Sequence, residues 1–180
     1  MCRVIASWIA FLETNVEKQH FYLREAVCQL EYAKRSYFEY QQAKLADDTF
    51  SVFYNLHHFI VHVVNVDKLF SVKAGTNREA ILKESIRLLE VDLKPIRKLR
   101  NHLEHFDERL DTWIQNHDGS TFFDNNIITG ARGFPEKAFL RALDGDVYKF
   151  YGESFPLVPI FEAIDKLHCQ LIKFENKYGC

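Results

Sequence analysis

The sequence predicts an all-α fold: a bundle of five or six helices forming one domain over residues 1–180, with one β-hairpin at about 136–152 inserted before the last helix. Three observations point there. Gly and Pro are scarce, 7 and 4 among 180 residues, which favours long regular elements over many short turns. Apolar residues recur at steps of three and four through most of the chain. Asp144-Gly145 stands between the apolar or aromatic runs Ala138–Leu143 and Val147–Tyr151, and Asp-Gly in that setting signals a hairpin.

The short apolar run Val4–Leu12 leads into a polar helical pattern and has no small-residue cleavage site, so it reads as a first helix rather than a signal peptide. Asn15 is a plausible cap for a second helix from Val16 to about Ala46, with Phe21, Val27, Leu30, Ala33 and Phe38 on its apolar stripe. Asp47-Asp48-Thr49 then breaks the pattern, and Asp48 or Thr49 caps the next helix. That helix, Phe50–Phe70, is the most apolar. Asn55, His58, His62 and Asn65 draw a narrow polar line along it, and polar groups on a buried rod need partners. After Gly75, Thr76 or Asn77 opens a helix to about Leu93, with Ile81, Ile86 and Leu89 inward. Pro95 suits the first residue of the following helix, whose stripe is Leu99, Leu103, Phe106, Leu110 and Trp113 and which closes at Asp118-Gly119. Asp124–Phe134 reads as loop with at most a short strand. Pro156 and Pro159 open the last helix, with Ile160, Ile164, Leu167, Leu171 and Phe174 inward and Gly179 after its end.

Composition narrows the function. With 47% hydrophobic residues the chain folds rather than staying disordered, and a net charge of −2 supplies no global basic field for nucleic acid. Any such binding must rest on a local patch. Cys2, Cys28, Cys169 and Cys180 are scattered without a C-x-x-C pair, which fits reduced thiols in a cytoplasmic protein. No apolar run is long enough to cross a bilayer, so no membrane partner is expected.

The most informative run is Arg100-Asn101-His102-Leu103-Glu104-His105. It sets a permanent cation and a carboxamide beside an imidazole that titrates near neutrality. Lys94, Arg97 and Lys98 make the approach basic, and such a cluster can position a phosphate backbone without reading bases. His102 borders the apolar stripe; it packs there or lines the groove. The plain alternative is structural: Arg100 pairs with Glu104 one turn on, and His105 is simply exposed. His58 and His62 raise a metal reading, but three or four ligands are needed, and Glu17 with His20 is the only Glu-x-x-His, so no metal and no cofactor is assigned. Phe122-Phe123 and the run Tyr148–Tyr151 are candidates for stacking on bases or for packing the hairpin.

On these residues the chain resembles the HEPN superfamily, small α-helical bundles of which many are metal-independent ribonucleases, often toxins or antiviral effectors. The family signature is an Arg, a polar residue that is often Asn or His, further residues and a His. Arg100, Asn101 and His105 match it residue by residue. The resemblance implies RNA cleavage by attack of the adjacent 2′-hydroxyl on phosphorus. His105 would move a proton, Arg100 would stabilise charge on the phosphate, and Asn101 would orient either group. Lys94, Arg97, Lys98 and His102 would bind RNA. It also implies a homodimer that assembles a composite site from two motifs, and an antitoxin or regulator protein as a further partner. Members paired with a nucleotidyltransferase antitoxin often carry Tyr two residues after the His; Asp107 stands there, which speaks against that partner. The alternative within the resemblance is a catalytically inactive RNA- or protein-binding module.

Overall fold

The computed structural model describes the backbone of residues 2–88, 94–128 and 134–178, and side chains within 17–83, 85–87, 96–128, 134–135 and 137–174. Two long antiparallel-capable helices dominate the chain's first half: α1, Cys2–Leu45, and α2, Thr49–Phe70. Then come α3, Asn77–Leu88; α4, Lys94–Glu104; and α5, Phe106–Gln115. Four strands follow, β1 (Phe123–Ile128), β2 (Phe139–Asp144), β3 (Val147–Phe150) and β4 (Glu153–Pro156), before the last helix α6, Leu157–Tyr178.

The all-α expectation is therefore wrong: the strands form a four-stranded mixed sheet in the order β1-β2-β3-β4. The predicted hairpin is its centre, β2 and β3 pairing antiparallel with Asp144 opposite Val147 around Gly145, whose φ of +61° explains the glycine. Two further strands extend it. β1 pairs parallel to β2 with register shifts around Asp124, and Asn125 there has φ +51°. The short strand that the sequence allowed within Asp124–Phe134 is β1, and the irregularity hid its pairing, because Asn-Asn reads as a turn and the bulge breaks the period of two. Arg141 on β2 locks the pairing by a fork onto Asp124, with both nitrogen–oxygen distances 2.7 Å. β4 pairs antiparallel with β3 and ends at Pro156, tolerated because β4 is an edge strand.

The helices bring smaller corrections. Asn15 caps nothing: α1 runs through it without a break. The buried stripe of α1 is Leu23, Ala26, Leu30, Ala33, Tyr37 and Tyr40, while Phe21 and Phe38 face outward at 70% and 55% exposure. Asp48 does cap α2, its carboxylate accepting from the Ser51 amide. Leu89 lies outside the described residues, and among the described residues of α3 Leu82 and Ser85 are buried. The core joins α1, α2 and α6 to one face of the sheet, through Phe59, Ile60 and Val63 of α2, Ile164 and Leu171 of α6, and Phe150 and Phe155 of the sheet. Burying each such side chain contributes about 1.5–3 kcal/mol. A smaller cluster, Ala138, Phe139 and Ala142, lies under β1 with Phe123 and Ile128. At the other end of the hairpin, Asp146 accepts from the buried Tyr40 hydroxyl at 2.9 Å and pairs with Lys44, tying the turn to α1.

Candidate functional site

The helix expected from Pro95 to Asp118 is two helices. α4 ends at Glu104, and His105 caps α5 with φ −113° and ψ 36°, its side chain making no capping bond. The break has a local cause: Asp107 and Glu108 stand in the first turn of α5, where carboxylates favour a helix start. It also separates two packing environments. α4 buries Ile96, Leu99 and His102, whereas α5 buries none of its residues.

Three of the predicted site residues on α4, Arg97, Lys98 and Arg100, pair with carboxylates, although Arg97 and Lys98 stay half or more exposed. Asp67 of α2 is 1% exposed and is the hub. It accepts from Arg97 Nε at 3.0 and 3.3 Å and from the Ser71 hydroxyl at 3.0 Å, and Arg100 Nη1 stands 3.8 Å away. Arg97 also donates to Ser71 Oγ at 2.9 Å. Arg100 Nε donates to Glu104 Oε2 at 3.1 Å, the i+4 pair that its spacing allowed. Glu104 is shared with Lys68, and these partners, Lys68 first, hold its carboxyl below the usual carboxylate range. Lys98 pairs with Glu153 of β4 at 2.7 Å. The side chain of Lys94 lies outside the described residues.

His102 is not a groove residue. It is 5% exposed, ringed by Phe150, Tyr151 and Phe155 with centroids 5.5, 5.8 and 6.0 Å away, and its nearest charged partner is Glu153 at 3.5 Å. Burial pushes its pKa down against the opposing pull of Glu153, so it is a neutral packing residue near pH 7. Asn101 is exposed. His105 is exposed too, its Nδ1 3.4 Å from Glu108 Oε1. The structure thus joins Arg100 to Arg97 through Asp67 and joins His105 to Glu108.

The polar line of α2 faces α1. Gln29 Oε1 accepts from Asn65 at 3.1 Å and meets His62 Nδ1 at 2.8 Å, so His62 carries its proton on Nδ1 there. The ring of His58 lies 6.2 Å from that of His62. Among the described residues, no group of three or more His, Cys, Asp or Glu side chains converges to hold a metal ion. No helix is long and apolar enough to cross a membrane, again among the described residues.

No family model, no curated protein and no solved structure matches this chain. The functional reading consequently rests on the site itself.

Sequence reasoning missed Asp67, Lys68, Glu108 and Glu153. Asp67 was the legible one: it sits three and four residues after Val64 and Val63, on the buried stripe, and a carboxylate there demands a cation. The partners Lys68 and Glu153 are long-range pairings that no local pattern announces.

Proposed function

We propose that this chain is a metal-independent endoribonuclease of HEPN type that cleaves RNA by 2′-hydroxyl attack, working in the cytoplasm as a toxin or phage-defence effector. The supporting observation is the state of Arg100. Its side chain is 30% exposed and is steered by Glu104 through Nε and by Asp67 through Nη1, leaving the Nη2 end outside both contacts. A guanidinium held this way is oriented yet keeps donors for a phosphate oxygen, and orientation before binding is what transition-state stabilisation requires. His105, exposed at the junction one turn on, is accessible to the same substrate.

In the reaction, the 2′-oxygen attacks the adjacent phosphorus, forming a 2′,3′-cyclic phosphate and breaking the bond to the 5′-oxygen. One His105 takes the 2′-hydroxyl proton and another protonates the departing 5′-oxygen. A single chain offers one such His, so the active species is a homodimer whose two motifs converge, and an antitoxin or regulator protein would restrain it. Asn101 positions the phosphate, and Arg97 and Lys98 exchange carboxylate partners for the RNA backbone.

The test is RNA degradation by purified protein in EDTA, with product ends identified. Cyclic phosphate and 5′-hydroxyl ends are expected, with Arg100→Ala and His105→Ala slowing cleavage by about 10²- to 10⁴-fold while the far-UV circular dichroism is kept. Equal rates in wild type and both variants refute the reading.

A second reading has its own observation. Arg97, Arg100, Lys68 and Lys98 all have carboxylate partners, which reduces the field of the patch. A catalytically inactive RNA- or protein-binding module fits that neutralisation. It would show salt-sensitive RNA binding, or a co-purifying partner, without cleavage.

A further inference from the structure

We propose that the cavity between α5 and the start of β2 binds an unstacked nucleobase. The cavity measures about 300 Å³, at the lower end of the small-ligand range and suited to one ring system. Its floor is apolar and buried, formed by Ala138 and Phe139. Its walls are aromatic and set at angles to one another. Trp113 stacks on His117 at 5.7 Å, and Phe122 stands edge-on to both at 5.1 and 5.2 Å. The site is built rather than incidental: the indole is pinned by Nε1 donating to the Lys137 carbonyl at 3.2 Å. Lys137 Nζ reaches across to Asp118 at 2.8 Å, fastening the loop after α5 to the segment before β2.

Tyr151 fixes one side of the cavity. It lines the cavity with φ +52°, a conformation that residues other than Gly avoid, at the first position of the β3–β4 turn. A glycine or asparagine would sit there without strain. The bulky ring is nonetheless present and is held by the protein, packing on His102 at 5.8 Å and under the Arg109 guanidinium at 5.2 Å.

The chemistry selects a base over other flat or charged groups. Faces of Trp113 and Phe122 offer stacking to any π system, and the exposed Ser120, Thr121, Asp118 and Lys137 provide donors and acceptors for its edge. Lys137 and Asp118 neutralise each other at the rim, so the lining favours an uncharged ring over a free ion. The location agrees. Thr112 lines the cavity seven residues after His105, which on a helix is the same face about 10 Å further along. A strand whose scissile phosphate lies at His105 can therefore place a neighbouring base in the cavity. RNA as the source of the base rests on the ribonuclease reading; base recognition by the cavity does not.

The test titrates the full chain with nucleoside 5′-monophosphates, ribose 5-phosphate, a short single-stranded oligoribonucleotide and its abasic counterpart. Binding is followed by intrinsic tryptophan fluorescence and by saturation transfer to the base protons. Base-dependent binding is expected, absent for ribose 5-phosphate and weaker for the abasic strand. Phe122→Leu, a change at a half-exposed position, keeps the fold and weakens binding about tenfold, whereas Phe122→Tyr stays within about twofold. Mononucleotide binding with no preference for the strand assigns a free nucleotide as ligand; a strong preference for the strand assigns RNA. No base-dependent binding by either, or equal binding by Phe122→Leu and wild type, overturns the proposal. Base binding without RNA cleavage would end the ribonuclease reading and leave the cavity standing. Cleavage whose KM ignores Phe122→Leu, with no base-dependent binding, would do the reverse.

Discussion

Asp67→Asn isolates the electrostatic hub of the candidate site. The substitution conserves volume but replaces a carboxylate, 2% exposed at its side chain, with a carboxamide. One oxygen can still accept from Ser71 or from Arg97, but the new NH₂ group meets donors already aimed at it. Hydrogen bonds to charged groups are worth about 1.5–3 kcal/mol each, and removing one partner of a buried pair costs about 3–5 kcal/mol. Both figures must be discounted here, because Arg97 is 52% exposed and regains water when its partner is lost. The expected loss is about 2–3 kcal/mol, against a total stability of about 5–15 kcal/mol for a domain. For a chain of this length that lowers Tm by about 4–12 °C. Urea titration by circular dichroism should move the midpoint without changing the slope. The cycle closes with Arg97→Met, alone and combined with Asp67→Asn. A coupling energy of at least about 1 kcal/mol is expected; a stability change below about 0.5 kcal/mol with no coupling would falsify the assignment of Asp67 as the hub.

Two other outcomes follow from the charge and burial patterns. His57, His62, His102 and His168 are all pushed below their usual pKa, by burial first in every case. The unfolded chain therefore binds more protons, and stability is full above about pH 6.5 and falls as pH drops through the lowered values. The two most buried, His102 and His168, dominate, so the urea midpoint should fall as pH drops below about 6.5. Glu104 and Asp146, held low by Lys68 and Lys44, lose their contribution only further into acid, which keeps the two windows apart. Flat urea midpoints from pH 7.5 to 5.5 would contradict this. Asp146→Asn should cost about 1–3 kcal/mol by loosening the Tyr40 and Lys44 contacts to the β2–β3 turn, and amide exchange in that turn should accelerate; unchanged protection there would refute the tie.

The helical half of the fold was legible because its signals are local. Asp48 lies immediately before α2, and Ile160, Ile164, Leu167 and Leu171 keep their spacing and are buried. The sheet was legible only at Asp144-Gly145, where two adjacent residues specify a turn. β1 was legible only as a short strand with no partner, because β2 lies across an intervening segment and the period of β1 is broken at Asn125. β4 was hidden by brevity: Glu153–Pro156 reads as the approach to a helix, and only pairing with β3 makes it a strand. The outward-facing Phe21 and Phe38 misled for a related reason. On a chain with 16 Phe, aromatic residues no longer mark the core, and small residues such as Ala26 and Ala33 line the α1 contact instead.

The candidate site was legible in its residues and illegible in its geometry. On one uninterrupted helix, Arg100 and His105 would point about 140° apart, a poor arrangement for two groups meant to act on one phosphate. The break at His105 removes that constraint. Arg100 takes its orientation from α4, which is pinned through Asp67 to α2, while His105 belongs to the start of α5. Their relation is thus set by a junction whose only local signal is the acidic pair Asp107-Glu108. The stripe from Leu99 to Trp113 continues across the junction in sequence and conceals it, even though α5 buries no residue fully and packs only partly, through Phe106, on the core. An arginine and a histidine five residues apart therefore specify a distance along the chain, and the carboxylates at the ends of α4 decide what that distance means in space.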